Sequence, residues 1–158
     1  MRTRYGRNGF TLIEVLVALV ILAIGLLGMA TLMMTSLQSS QGAYLRSQAS
    51  LLSYDIIERM RANHDRAINS DDYALTKTSN ASSNPNCRAS GCSASQQAQQ
   101  DLYDWREALE TSIPGAKASI ARASVNQYTV EIEWEEAGRV LKVDGQDVPS
   151  SFSLRVDL

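Results

Sequence analysis

Hydrophobic positions divide the chain into two unlike parts. Nearly every residue from Val15 to Met34 is apolar, and no charged residue occurs between Val15 and Leu45. As a helix, those roughly 20 residues span about 30 Å, the thickness of a bilayer's hydrocarbon core. The pattern predicts a membrane span. The alternative is the apolar core of a removable secretory signal, with Gly28-Met29-Ala30 as a small-residue cleavage site, but such cores run only about 7 to 15 residues. Past Met34 the composition turns polar, yet no proline occurs before Pro85 and Gly42 stands alone. Leu45, Ala49, Leu52, Ile56 and Met60 recur at spacings of three and four, one face of a helix. A single helix is therefore expected from Phe10 to about Asn63, roughly fifty residues and about 80 Å.

The remainder changes period twice. Thr76 to Ser95, TKTSNASSNPNCRASGCSAS, is the most loop-like stretch. Ser93-Ala94-Ser95-Gln96 then forms a capping-box pattern, with Ala98, Leu102, Trp105 and Leu109 on one helical face and Ile113-Pro114-Gly115 as its stop. Trp105 is expected to be a core anchor. From Lys117 the period becomes two. Tyr128, Val130, Ile132 and Trp134 alternate with Thr129, Glu131, Glu133 and Glu135, and Phe152, Leu154 and Val156 alternate with Ser153, Arg155 and Asp157. With Arg139 to Val143 between them, a weaker strand from about Ala118 to Ala123, and turns at Gly138 and Asp144-Gly145, these segments predict a four-stranded antiparallel sheet over 117–158. The amphipathic half of the long helix is its expected cover. The fold class is α+β.

Charge sets the orientation. Arg2, Arg4 and Arg7 precede the span with no acid among them, and no basic residue follows it before Arg46. By the positive-inside rule the N-terminus stays in the cytoplasm and the rest is exported. Cys87 and Cys92, the only cysteines, then occupy a compartment where disulfides persist, and they are expected to pair. So short a loop adds modest stability. Two thiols do not make a metal site, and the sole histidine, His64, is distant in sequence, so neither metal nor cofactor is expected. Asn80-Ala81-Ser82 matches a glycosylation sequon, a weak signal.

Glu131, Glu133, Glu135 and Glu136 raise the question of acid-base chemistry, but period two puts the first three on one solvated strand face. No Gly-rich phosphate loop or nucleophile elbow appears, and enzymatic activity is not expected. Nor is nucleic acid a predicted partner: loss of the three arginines ahead of the span takes the formal net charge from −2 to −5.

Glu14 is the anomaly. A carboxylate in the apolar layer costs a few kcal/mol and marks a functional site with a partner. The bland alternative is an acid that snorkels to the cytoplasmic headgroups. Arg7-Asn8-Gly9-Phe10-Thr11-Leu12-Ile13-Glu14, with a short basic stretch before it and the apolar run after it, resembles the class III signal of type IV pilins and type II secretion pseudopilins. The resemblance implies that a prepilin peptidase cuts after Gly9 on the cytoplasmic side, that Phe10 becomes the N-methylated terminus, and that Glu14 is the acid required for assembly. The new α-amino group would lie one helical turn before Glu14, so amines of its own chain and of a neighbour are both partners to consider. Removing one member of such a buried pair is expensive, which suits a register mark.

EVLVALVILAIGLLGMATLMM, SQASLLSYDIIERMRAN and the alternation around Trp134 further resemble the PilV-type minor pilins, also described as pilus-modification proteins. Major pilins often carry a proline about twenty residues into the mature helix. This chain has none there, although Gly25 and Gly28 each cost about 1 kcal/mol of helix propensity and permit loosening. The resemblance implies a pilin-like fold with a basic leader (1–9), an assembly helix (10–34), its amphipathic continuation (35–63) and an exported domain (64–158) with one additional short helix. It implies a non-enzymatic subunit acting in pilus assembly initiation or a tip complex, supporting twitching motility and adhesion. Its partners would be other minor pilins, the major pilin, the prepilin peptidase and the inner-membrane assembly machinery. Its location would be the bacterial inner membrane with a periplasmic domain, then the pilus surface. A type II secretion pseudopilin and a permanently anchored extracytoplasmic binding module are the alternatives.

Overall fold

The computed structural model describes residues 9–78, 83–136, 141–143 and 146–158. Arg2, Arg4, Arg7, the sequon at Asn80 to Ser82, and the turn residues Gly138, Asp144 and Gly145 lie outside the described residues. The elements in chain order are helices α1 (Leu12–Ala62), α2 (His64–Asn69), α3 (Cys87–Ser90) and α4 (Ala94–Ser112), then strands β1 (Lys117–Arg122), β2 (Gln127–Trp134), β3 (Leu141–Val143), β4 (Gln146–Val148) and β5 (Ser150–Asp157). Two compact units divide between Ser40 and Gln41.

Helix α1 starts at Leu12 rather than Phe10, because Thr11 caps it. The Glu14 amide donates to the Thr11 hydroxyl at 3.4 Å, and the Thr11 carbonyl accepts from Glu14 and Val15 at 3.1 and 3.3 Å. In the first unit every large apolar side chain from Leu12 to Leu37 is exposed. The hydroxyls of Thr31 and Thr35 donate to carbonyls one turn back, Leu27 and Thr31, both at 3.0 Å. Bonding within the helix satisfies these donors without water.

In the second unit, the α1 residues Ala49, Leu52, Ile56, Ile57 and Met60 share one core with Ala98, Leu102, Trp105 and Leu109 of α4 and with Ile120, Tyr128, Val130, Ile132 and Trp134 of the sheet. Helix α4 begins with the full capping box of Ser93 and Gln96. Trp105 is completely buried and its indole N–H donates to the Leu52 carbonyl at 2.8 Å, joining α4 to α1. Strand β2 alternates buried and half-buried residues along its length.

The sheet has three strands, in the order β1-β2-β5, all antiparallel. The expected fourth strand around Arg139 to Val143 is instead β3, which pairs with β4 as a separate hairpin, Leu141 opposite Val148. Three residues are too few to hold a place in the main sheet, and they pair with the strand that follows them directly in the chain. Strand β5 meanwhile takes the place beside β2 along its whole length, with Phe152, Leu154 and Val156 opposite Ile132, Val130 and Tyr128. The outer edge of β1 is partly covered by Leu75, which exchanges backbone hydrogen bonds with Ile120 at 2.9 and 2.8 Å.

Two polar clusters fix the segment between α1 and β1. Arg122 donates to the carbonyls of Ile68, Ser70 and Val125 and to Asp71, and the Tyr128 hydroxyl donates to the Ala67 carbonyl at 2.7 Å. The C-terminal carbonyls of α2 are thus satisfied from the β1–β2 hairpin. Asp101, 5% exposed, accepts from the Tyr73 hydroxyl at 2.6 Å and from Gln97 at 2.9 Å, with Arg59 at 3.7 Å. Burial, reinforced by the hydrogen bond to Asp101, pushes the Tyr73 phenol well above its ordinary pKa, and burial also raises Tyr128. A raised folded pKa favours the protonated phenol. That stabilisation is complete below the ordinary tyrosine pKa of about 10 and is lost as pH rises towards the folded values. Urea denaturation of the detergent-solubilised chain, followed by the fluorescence of buried Trp105 and Trp134, is therefore expected to show falling stability above about pH 10, with a shallower fall in Tyr73→Phe.

Candidate assembly site

Gly9, Phe10 and Thr11 precede the first helical turn and are exposed, Phe10 by 83%. The Gly9–Phe10 peptide bond consequently lies outside the helical hydrogen-bond ladder, the form in which a protease can take up backbone. A Cβ at Gly9 would meet nothing within 4 Å, so no contact within the described chain demands glycine there. Glu14 lies in the first turn of α1, where unsatisfied amides and the positive end of the helix dipole favour a carboxylate. Among the described residues, no lysine or arginine forms an ion pair with it. Phe10, Thr11 and Glu14 therefore cluster at one helix end, the acid still open to a cation. The Thr11 cap was missed in the sequence reading, although Thr11-x-x-Glu14 is a capping-box spacing.

The other residues singled out by sequence fall elsewhere. Cys87 and Cys92 are bonded, S–S 2.06 Å and Cα–Cα 5.1 Å, directly before the Ser93 cap of α4. The Cys87 amide donates to the Gln100 side chain at 3.3 Å, tying this loop to α4. Glu131 and Glu133 do share a face, and both engage Lys77, Glu131 at 3.1 Å. Their hydrogen bonds, that of Glu133 first, raise the ammonium pKa, so these acids form a charge bridge across the sheet. Glu136 is apart from them: its Oε1 lies 2.9 Å from where a Cβ on Gly42 would stand, and the glycine leaves room for it. His64 lies 3.7 Å from Asp65. Among the described residues no three metal-capable side chains gather.

Residues 4–30 match the family model of the prokaryotic N-terminal methylation motif, and residues 31–103 match that of type IV pilin Tt1218. The two matches adjoin and together run through well over half of the chain. The chain belongs to the type IV pilin family. No curated protein and no solved structure matches it. As a pilin it is a structural subunit of the pilin type, and its motif implies processing by a prepilin peptidase and assembly with the pilus machinery. The Tt1218 match ends within α4, so the sheet that completes this pilin's domain lies beyond both matched regions.

Replacing both cysteines of this pilin with serine is expected to lower domain stability by about 2 kcal/mol, the loop-entropy value for so short a ring. Urea denaturation checks this, with the capped α4 core still cooperative in the variant.

Proposed function

We propose that this pilin is a minor pilin of a type IV pilus, a non-enzymatic subunit acting in assembly initiation or a tip complex and thereby supporting twitching motility and adhesion. One observation carries the assembly part of the reading: Glu14 is the only charged residue in the exposed apolar segment of α1 from Leu12 to Leu37, one turn from the Gly9–Phe10 bond. Prepilin peptidase cuts after Gly9, and the new amine of Phe10 is N-methylated. While the subunit waits in the bilayer with residues 10–34 in lipid, the Glu14 carboxylate is poorly neutralised, at a cost of a few kcal/mol. Docking beside the charged amine of a neighbouring pilin relieves that cost in one axial register only. The continuation 35–63 leads to the domain 64–158 on the periplasmic side, which reaches the pilus surface after assembly.

The minor-pilin assignment is supported by the resemblance of the assembly helix, the second-unit part of α1 and the strand around Trp134 to PilV-type pilins, and by the absence of a proline early in α1. Its partners on this reading are other minor pilins, the major pilin and the inner-membrane assembly machinery. Glu14→Ala is expected to leave the protein in the membrane at its normal level and to reduce pilus number or its own incorporation sharply. A count of surface pili, with immunoblots of membrane and sheared-filament fractions, decides it. Normal piliation with the variant still entering filaments would overturn the role given to Glu14, and would favour a permanently anchored module.

A further inference from the structure

We propose that the free edge of β5 is a docking site for an extended segment of another exported protein, which adds to the sheet as a further strand. The Leu158 amide donates to the Asn126 carbonyl at 2.8 Å, and Asp157 stands opposite Gln127, so Leu158 continues the β2–β5 ladder with its backbone turned towards β2. Bonding direction alternates along a strand. Phe152, Leu154 and Val156 therefore bond to β2 as well, and the N–H and C=O groups of Ser151, Ser153, Arg155 and Asp157 point away from it. Among the described residues no strand lies on that side. Natural sheets shield such an edge with lysine, proline, a bulge or a covering segment. The outer edge of β1 has its cover in Leu75, bonded to Ile120 in both directions. β5 has none of these: SSFSLRVD contains no lysine or proline, and it pairs with β2 in one unbroken register.

The side chains of β5 describe the occupant. Phe152, Leu154 and Val156 pack against the core yet are only half-buried, whereas Ile132, Val130 and Tyr128 opposite them on β2 are completely buried. A strand added at this edge covers that row with apolar residues of its own. On the other face Arg155 and Asp157 are exposed, and both are tied to the Gln127 side chain, Asp157 at 3.0 Å. A positive and a negative charge held two residues apart select an acid opposite the first and a base opposite the second. A second copy of this chain is the wrong occupant, a step that rests on the pilin reading above. The sheet packs its face on α1, so the two-fold axis of an antiparallel edge pair would turn the two α1 helices in opposite directions, which subunits anchored in one membrane do not allow. The occupant is therefore an extended segment of a different protein, apolar at alternate positions and held through its backbone.

Ser153→Pro tests the edge, because it removes one outward N–H and leaves every bond to β2 in place; proline is tolerated on an edge strand with its nitrogen towards solvent. The probe is a short fluorescein-labelled peptide of alternating valine and threonine, with a lysine two residues before a glutamate. Fluorescence anisotropy on the detergent-solubilised full chain is expected to show binding, weakened about tenfold by Ser153→Pro through the lost backbone bond and the bulk of the ring. A peptide N-methylated at every second residue along its pairing edge is expected not to bind the unsubstituted chain, a result independent of how the proline variant folds. In the bacterium that makes the chain, Ser151→p-benzoylphenylalanine is expected to crosslink to one extended segment of another exported protein, mapped by mass spectrometry, and Ser153→Pro to abolish the adduct. Binding that is absent, or indifferent to the proline or to N-methylation, overturns the proposal, as do adducts that are missing or formed only with lipid or with copies of this chain. If Glu14→Ala changes nothing and the N-terminus is Met1, the pilin reading falls and a second copy becomes admissible, while the peptide result still stands by itself.

Discussion

An apolar helix surface that its own chain does not cover governs this protein. Between Leu12 and Leu37 the leucines, isoleucines, valines and methionines all face outward, and each costs about 1.5–3 kcal/mol if left in water. The segment is stable only in lipid or against other helices. Glu14 gains meaning from that setting, because a lone carboxylate is conspicuous where no other polar charge exists. The first turn also explains how the acid is tolerated: free amides and the Thr11 cap present a locally positive helix end.

The same helix also contributes to the core of the second unit, and it does so with one face. Its carbonyl at Leu52 receives the Trp105 indole, and the buried Ser53 hydroxyl turns back to Ala49 at 2.8 Å, so these polar groups are satisfied within the contact. Around that face the domain is closed by long-range side chains, Arg122 and Tyr128 on the end of α2, Tyr73 and Asn63 beside Asp101.

Elements with long, regular periodicity were readable from sequence. Helix α1 announced itself through an uncharged run and then a three-four stripe, α4 through Ser93 and Gln96, and β2 and β5 through strict alternation. The partition of the remaining strands was not readable, because three residues such as Leu141 to Val143 carry no period and pair with whatever is nearest. Helices α2 and α3 are too short for a face, and the Leu75 bridge rests on two backbone hydrogen bonds that leave no mark on side-chain identity. At the assembly site, Gly9, Phe10 and Glu14 drew attention through a local motif and an anomalous charge. The cap at Thr11 was equally local and was passed over. The Lys77 bridge to Glu131 and Glu133 joins residues more than fifty apart and lay beyond any local pattern.

Mass spectrometry of the N-terminal peptide from membrane-extracted protein tests the central claim most directly, because the amine proposed as the partner of Glu14 exists only if the chain is cut between Gly9 and Phe10. The account predicts a terminus at N-methylated Phe10. A terminus at Met1 would leave Glu14 without that amine, and one beyond Ala30 would make the helix a discarded secretory signal; either would contradict the account.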